Sequence, residues 1–382
     1  MIGFTLEKEQ LEIQEKYRDF TKRYIIPNAR KYDESTEFPW EIVKQAYKEG
    51  IMNGPIPKKY GGNGYSLFEA ALTSEELGYG CIGIGISIDA NTLALTPLML
   101  AANDEQKKKF YGEMIEKQGV AAYCLTEPNA GSDVQGIKTT AIKKGDKYII
   151  NGHKRFITNG EVSTFLTVFA LVDPERGSRT LSAFVVPTDA PGVEIKPHIM
   201  KMGQRASVQN EIIFHDVEIP ATNLLGSEGL GFVIAMKTFD RTRTGVASLG
   251  VGAARRAYET ALKWAKNRIQ FGKPIASQQA IGFMLAEMAT KLETARLITW
   301  KAASEYDRGV KNPGVYSAMA KYWATDVAME IATDAVQIMA GEGYCYDYGY
   351  EVEKIMRDVK LTQIYEGTNQ VQRLVIAKTI LK

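Results

Sequence analysis

The chain has 382 residues, 45% of them hydrophobic and 24% charged, enough for two or three packed regions around a sizeable core. Its net charge of +2 is too small to imply a nucleic-acid or membrane partner, though it leaves room for a local basic patch facing an anionic ligand. Three scattered cysteines (Cys81, Cys124, Cys345) and three histidines (His153, His198, His215) show no metal-ligand spacing or disulfide framework, which argues against a metalloenzyme or a histidine-based hydrolase and for a reducing compartment.

Residues 5 to about 118 read as helical. Leu6, Leu11, Ile13, Tyr17, Phe20 and Ile25 recur near helical spacing, and Pro27 and Pro39 punctuate a short helix that runs to about Glu49. Pro55, Pro57 and the run Tyr60 to Tyr65 form a loop, and Ser66 is placed to cap a helix ending near Gly78. An apolar, Gly-rich stretch from Ile82 to Leu100 follows, with one acid, Asp89. No apolar run reaches the ~18 residues of a membrane span. The first ten residues, with Glu7 and Lys8, lack a signal core and are too acidic for a transit peptide, so the chain reads as cytoplasmic.

From Val120 to about Leu225 short β-branched runs alternate with turns, at Lys147–Ile150, Phe165–Val172, Leu181–Val186 and Glu211–Val217. This pattern predicts an antiparallel β domain, with a hairpin at Asn151-Gly152. Beyond Gly231 the helical period returns in blocks near 231–269, 277–308, 313–340 and 353–381, which predicts a four-helix bundle. The fold class is therefore α+β, with an N-terminal helical domain (1–119), a middle antiparallel β domain (120–230) and a C-terminal helical bundle (231–382). No βαβ alternation or GxGxxG turn suggests a Rossmann dinucleotide site.

Several segments carry chemistry. Ala122 to Asp133 is rich in small polar residues whose amides and hydroxyls suit a flat heterocycle or a phosphate, or else it is a decorated strand-to-loop junction. Phe156 and Thr158 lie two residues apart on one strand face, as a ring-stacking pair or as a core Phe. Arg268 to Lys273 sets a cation at a helix end, for a salt bridge or a pyrophosphate. Glu366, in Tyr365-Glu366-Gly367-Thr368, is a carboxylate on a Gly-containing turn. Stripped of water beside an apolar pocket, such a group becomes a usable general base.

These segments, with Gln337 to Gly343 and Ile364 to Gln370, resemble the acyl-CoA dehydrogenase family in order and spacing over essentially the whole chain, most nearly its short- and medium-chain members. The resemblance implies FAD, an acyl-CoA substrate oxidised to the 2-enoyl-CoA, and Glu366 as the base, while the β-hydrogen leaves as hydride to flavin N5. The thioester carbonyl would be held by the Glu366 amide and a ribityl hydroxyl of FAD. Isovaleryl and long-chain members carry the base on another helix, where this chain has Thr242, which cannot serve. The resemblance places Tyr123, Cys124, Leu125, Thr126, Ser132, Phe156, Ile157 and Thr158 around the flavin, with Gly367, Thr368 and Gln370 beyond the base. Arg268, Gln270, Phe271, Gln278, Gln279, Gln337, Ile338 and Gly341 would reach the FAD of a neighbouring subunit, which implies a homotetramer built as a dimer of dimers. Asp240, Thr242 and Arg243 would lie near the thioester or pantetheine arm, and Ser132 and Ser178 near the CoA. The implied electron acceptor is electron-transfer flavoprotein.

Three departures stand out. Phe156 replaces a Trp, an aromatic that keeps packing on the flavin. The segment near Lys311 runs one residue longer. The Tyr-rich loop from Tyr344 to Tyr350 is about two residues longer than in medium-chain relatives, placed either to reshape the site or to cover FAD or a subunit contact. By position Asp89 faces the far end of the acyl pocket, with Gly85 and Ile86 lining the same cavity. It is either a water-bound carboxylate on the pocket floor or an additional acid/base or polarity filter for a short, branched, cyclic or functionalised acyl group. An oxygen-using oxidase is a further alternative that the chain length argues against. A non-catalytic DNA-binding homologue is another, opposed by Glu366 and the near-neutral charge.

Overall fold

The computed structural model describes residues 5–349 and 351–381. The chain begins with α1 (Lys8–Phe20), which runs on through a π turn and a 3-10 turn holding Pro27 into α2 (Ala29–Ser35). Tyr17 and Phe20 are buried as their spacing predicts, whereas Leu11 lies half in solvent. Then come α3 (Trp40–Lys48), α4 (Leu67–Gly80), α5 (Ile82–Ala101) and α6 (Asp104–Glu116). Ser66 caps α4 as expected: its hydroxyl accepts from the Glu69 N–H at 3.1 Å, and Glu69 returns the bond to the Ser66 N–H at 2.8 Å. Contrary to the sequence expectation, α5 is long and apolar enough to cross a membrane, but 67% of its apolar window is buried inside the protein. Interleaved Gly, Ser, Asn and Thr hid its length as a run, and Asp89 sits midway along it.

The β region has eight strands: β1 (Val120–Cys124), β2 (Thr140–Lys144), β3 (Lys147–Thr158), β4 (Ser163–Leu171), β5 (Leu181–Pro187), β6 (Val193–Ile195), β7 (Gln209–Pro220) and β8 (Leu224–Leu225). They form one sheet in the order β6-β7-β3-β2-β4-β5-β8, with β1 beside β4. Most pairs are antiparallel, but β1–β4 and β2–β4 are parallel, which their long intervening connections permit. The hairpin predicted at Asn151-Gly152 does not form. The turn falls at Gly145-Asp146, and Asn151-Gly152 lies inside β3 at a bulge against β7. Asn151 exchanges two 2.9 Å bonds with Asp216, and a Cβ on Gly152 would stand 2.3 Å from Thr139 Oγ1. The Asn-Gly pair therefore serves a strand irregularity and a close backbone approach.

The C-terminal region contains α7 (Gly231–Asn267), a small ribbon of β9 (Ile269–Gln270) and β10 (Lys273–Pro274), α8 (Gln279–Asp307) and α9 (Gly314–Tyr344). The fourth predicted helix is two, α10 (Val352–Thr362) and α11 (Asn369–Ile380), so the bundle has a broken last member. The break holds Glu366 at φ 52° and Gly367 at φ 88°, and left-handed residues end a helix. Ala254, Ala257 and Ala261 of α7 and Ala324, Ala328 and Ala332 of α9 are fully buried in one core, which lets these helices pack closely. Helices α4 and α7 meet through backbone: a Cβ on Gly78 would stand 2.3 Å from Leu249 O, and one on Gly252 would stand 2.0 Å from Glu75 O. The two helical regions, far apart in sequence, thus share one packed mass with the sheet on its flank.

Candidate active site

A cavity of about 830 Å³ opens where α5, α7, the end of β3, the loop after β1 and the α10–α11 break converge. Glu366 lines it on that break, half-buried and held in the left-handed region. Thr242 of α7 donates its hydroxyl to Glu366 Oε2 at 2.7 Å. Behind the turn, the Glu366 carbonyl accepts from Arg243 Nε at 3.3 Å and Gln372 Nε2 at 3.2 Å. The Gly367 carbonyl accepts from Lys321 Nζ at 2.9 Å and Gln372 Nε2 at 2.8 Å. Two carbonyls tied from behind fix a strained turn in one conformation. Among the described residues, the Glu366 N–H meets no protein acceptor.

Burial pushes the Glu366 carboxyl up to about 7, against the pull of the Thr242 bond and the Arg243 and Lys321 charges; the Asp89 charge adds to the rise. Also lining the cavity, Asp89 accepts from Ser74 Oγ at 3.2 Å, and a Cβ on Gly245 would stand 3.0 Å from its Oδ2. Burial pushes Asp89 up to about 6, with Ser74 opposing. Two carboxyls of raised proton affinity therefore share one cavity with Ile86, Ala90 and Leu93.

The lining also has an aromatic part. Phe156 is 52% exposed, at φ 58° next to a bulge in β3, with the Arg155 guanidinium 5.0 Å from its ring centre. The core-Phe reading fails here because the bulge turns the ring out of the sheet. Thr158 Oγ1 accepts from Gln209 Nε2 at 3.2 Å. The Tyr123 ring packs on Phe169 and Phe239, and its buried hydroxyl has no partner.

The cavity brings together Ile86, Asp89, Tyr123, Leu125, Thr126, Ser132, Phe156, Ile157, Thr158, Thr242, Arg243, Glu366, Gly367 and Thr368. It does not include the others. Gly85, expected beside Ile86, packs on the Leu77 backbone, because successive helix positions face about 100° apart. Cys124 turns its side chain into the sheet core, and Ile338 is buried in the bundle. Asp240 is half-buried at an ion pair with Arg243, and Ser178 and Gln370 stand off the cavity. Arg268, Gln270, Phe271, Gln279, Gln337 and Gly341 are exposed on an outer face, with Gln278 partly covered. Of the Tyr-rich loop, Tyr344, Tyr346 and Tyr348 do not line the cavity, Tyr346 packs under Arg30, and Tyr350 lies outside the described residues. Ser74, Gly245, Lys321 and Gln372 escaped the sequence reading. Only Lys321 left a trace there, as a lone cation among Ala318, Ala320 and Ala324.

Residues 7–118, 122–217 and 229–381 match the N-terminal, middle and C-terminal domains of acyl-CoA dehydrogenases. The chain belongs to the acyl-CoA dehydrogenase family. It is similar to a probable medium-chain specific acyl-CoA dehydrogenase 2, mitochondrial, of Caenorhabditis briggsae, with 43% identity covering 100% of this chain and 92% of the relative. It is also similar to cyclohex-1-ene-1-carbonyl-CoA dehydrogenase of Geobacter metallireducens, with 42% identity over 98% and 99% of the two chains. The solved butyryl-CoA dehydrogenase of Megasphaera elsdenii superposes with a TM-score of 0.96 at 38% identity, covering 100% of both chains.

This acyl-CoA dehydrogenase is an FAD-dependent oxidoreductase. Its residues fit that cofactor: the outward Phe156 ring supplies a stacking face, and the orphaned Tyr123 hydroxyl supplies a buried polar group without a protein partner. When bound, the flavin supplies the acceptor for the substrate's β-hydrogen. Phe156, Ile157 and Thr158 would hold it on one side, with Tyr123, Leu125 and Thr126 nearby.

Proposed function

We propose that Glu366 is the base that removes the α-proton of an acyl-CoA thioester, and that its own N–H is one of the donors to the thioester carbonyl. The observation that carries this reading is a carboxyl poised near neutrality inside the shared cavity, on a turn whose carbonyls are tied away from it. A base with a pKa near the working pH combines a large ionised fraction with useful proton affinity. The free Glu366 N–H supports the donor role, since an amide aimed at developing negative charge lowers the barrier. Thr242 holds the carboxylate directly, and Arg243 holds the turn that carries it. The acyl chain would run towards Ile86 and Asp89. The outer-face residues from Arg268 to Gly341 keep the roles the resemblance gives them only if a second copy of the chain completes the cofactor site, whereas Asp240 and Ser178 would meet the pantetheine arm and the CoA, and Gln370 the cofactor beyond the base, outside the cavity lining. The 93% exposure of Phe271 favours such a partner copy, and electron-transfer flavoprotein is the proposed acceptor.

Glu366→Gln tests the base. Anaerobic addition of acyl-CoA should no longer bleach the flavin, with kcat/KM down by about 10³-fold or more and FAD content unchanged. Undiminished bleaching refutes the assignment.

A second reading concerns Asp89. Its raised proton affinity and its place on the cavity wall favour a role as an additional acid/base for a cyclic or functionalised acyl group, in line with the cyclohexenoyl-specific relative. Asp89→Asn, assayed over linear, branched, cyclic and dicarboxylic acyl-CoAs, should change their relative kcat/KM. Equal ratios throughout would leave Asp89 as a polar floor.

A further inference from the structure

Lys321 is fully buried on α9, among Ala318, Ala320 and Ala324. Its ammonium gives one hydrogen bond to Gly367 O and one to Asn369 Oδ1, each 2.9 Å, and touches no carboxylate among the described residues. Asn369 is fixed in turn by donating to Thr325 Oγ1 and Asp326 Oδ1. Hydrogen bonding alone does not call for a cation here, because the neutral Gln372 amide already donates to the same Gly367 carbonyl. A buried charge without a contacting counter-ion is expensive, so it persists where a nearby field compensates it. Of the anions that attract it, Asp326 is already engaged by Gln363, Asn369 and Arg373, and the other is Glu366.

We infer that Lys321 is a positioning residue of the base: its buried ammonium anchors the Gly367 carbonyl from below and supplies the positive field that keeps Glu366 ionised. The inference rests on Glu366 being the base. The groups facing Lys321 are Glu366 and Asp326, which favour its charge, and Arg243, which opposes it. Those facing Glu366 are Thr242, Arg243 and Lys321, which favour the carboxylate, and Asp89, which opposes it. Burial lowers Lys321 to about 7 while Glu366 rises to about 7, so the two titrate over one range and each governs the other. Where the two ranges overlap, a proton on Lys321 favours the ionised form of Glu366.

The test is the pH dependence of kcat/KM in the FAD-loaded enzyme carrying Lys321→Met or Lys321→Gln. Both should move the acid limb upward by about one pH unit, so that activity near pH 6 falls by roughly tenfold more than at pH 9, with flavin content unchanged. A wild-type acid limb in either variant overturns the inference; if only Gln restores it, the hydrogen bond and not the charge is what matters. Should neither variant fold, the same field is read from Glu366→Gln, in which a side-chain NMR titration should show Lys321 losing its proton at lower pH than in the wild type. An unchanged titration there also overturns it. Persistent bleaching by Glu366→Gln would instead sink the base assignment, a separate failure.

Discussion

As the proposed base, Glu366 trades stability for reactivity. Its ordinary value of 4.5 rises to about 7 in the folded chain, so folding favours its protonated form. Its contribution is fully present below the unfolded value and is lost as pH rises through the folded one. Glu366→Gln should therefore melt at a higher temperature than wild type at pH 8, by up to about 3 kcal/mol in stability, and show no such advantage at pH 4. A variant that is no more heat-resistant at pH 8 would mean that the carboxyl is not desolvated. Thr242 works the other way, because its hydroxyl stabilises the carboxylate. Thr242→Val should raise the acid limb of kcat/KM and lower activity at pH 6 by roughly tenfold, with a smaller loss at pH 9. A uniform loss at all pH values would mean that the hydroxyl acts only in packing.

The α10–α11 break shows how much of the site the sequence carried at the level of elements. Glu366 beside Gly367 was legible as a turn, yet the apolar period across 353–381 reads as one helix, because period alone does not reveal two left-handed residues. Asn151-Gly152 shows the converse: strong turn chemistry was used for a bulge, since cross-strand partners decide and lie 60 or more residues away. The three-region order was readable, because long segments of period 3.6 and short β-branched runs differ plainly. Ser74, Gly245 and Gln372 were not, because they meet Asp89 or the Glu366–Gly367 backbone only after α4, α7 and α11 pack together. Gly367→Ala tests the break directly. At φ 88° a Cβ is strained, and it would stand 2.7 Å from Gln372 Nε2. The substitution should cost about 1–3 kcal/mol and lower kcat at least tenfold, with FAD content largely kept. Full activity would show that the turn tolerates another shape.

Across the whole molecule, two buried glutamates of α4 join the helical regions into a single scaffold. Glu76, 0% exposed, pairs with Arg18 of α1 at 3.1 Å and with Arg255 of α7 at 2.6 Å. Glu75, 2% exposed, pairs with Arg255 and with Arg296 of α8, each at 3.0 Å. These pairs span the same α4–α7 contact that Gly78 and Gly252 bring to backbone distance, and α7 also carries Thr242 and Arg243 to the cavity. Removing the Glu76 charge leaves Arg255 with Glu75 alone and Arg18 with the exposed Glu15, so the buried positive charge is only partly compensated. Glu76→Gln should therefore destabilise the protein by about 2–3 kcal/mol, seen as a lower melting temperature and earlier flavin release on heating. Because Glu76 does not line the cavity, kcat at 25 °C should stay within about twofold for the folded fraction. Glu366→Gln and Glu76→Gln then move stability in opposite directions, and only the first lowers turnover, since on the proposed reading one carboxyl is held against its preference for chemistry and the other is satisfied for structure. A Glu76→Gln enzyme that melts with the wild type would show that the scaffold does not depend on this network.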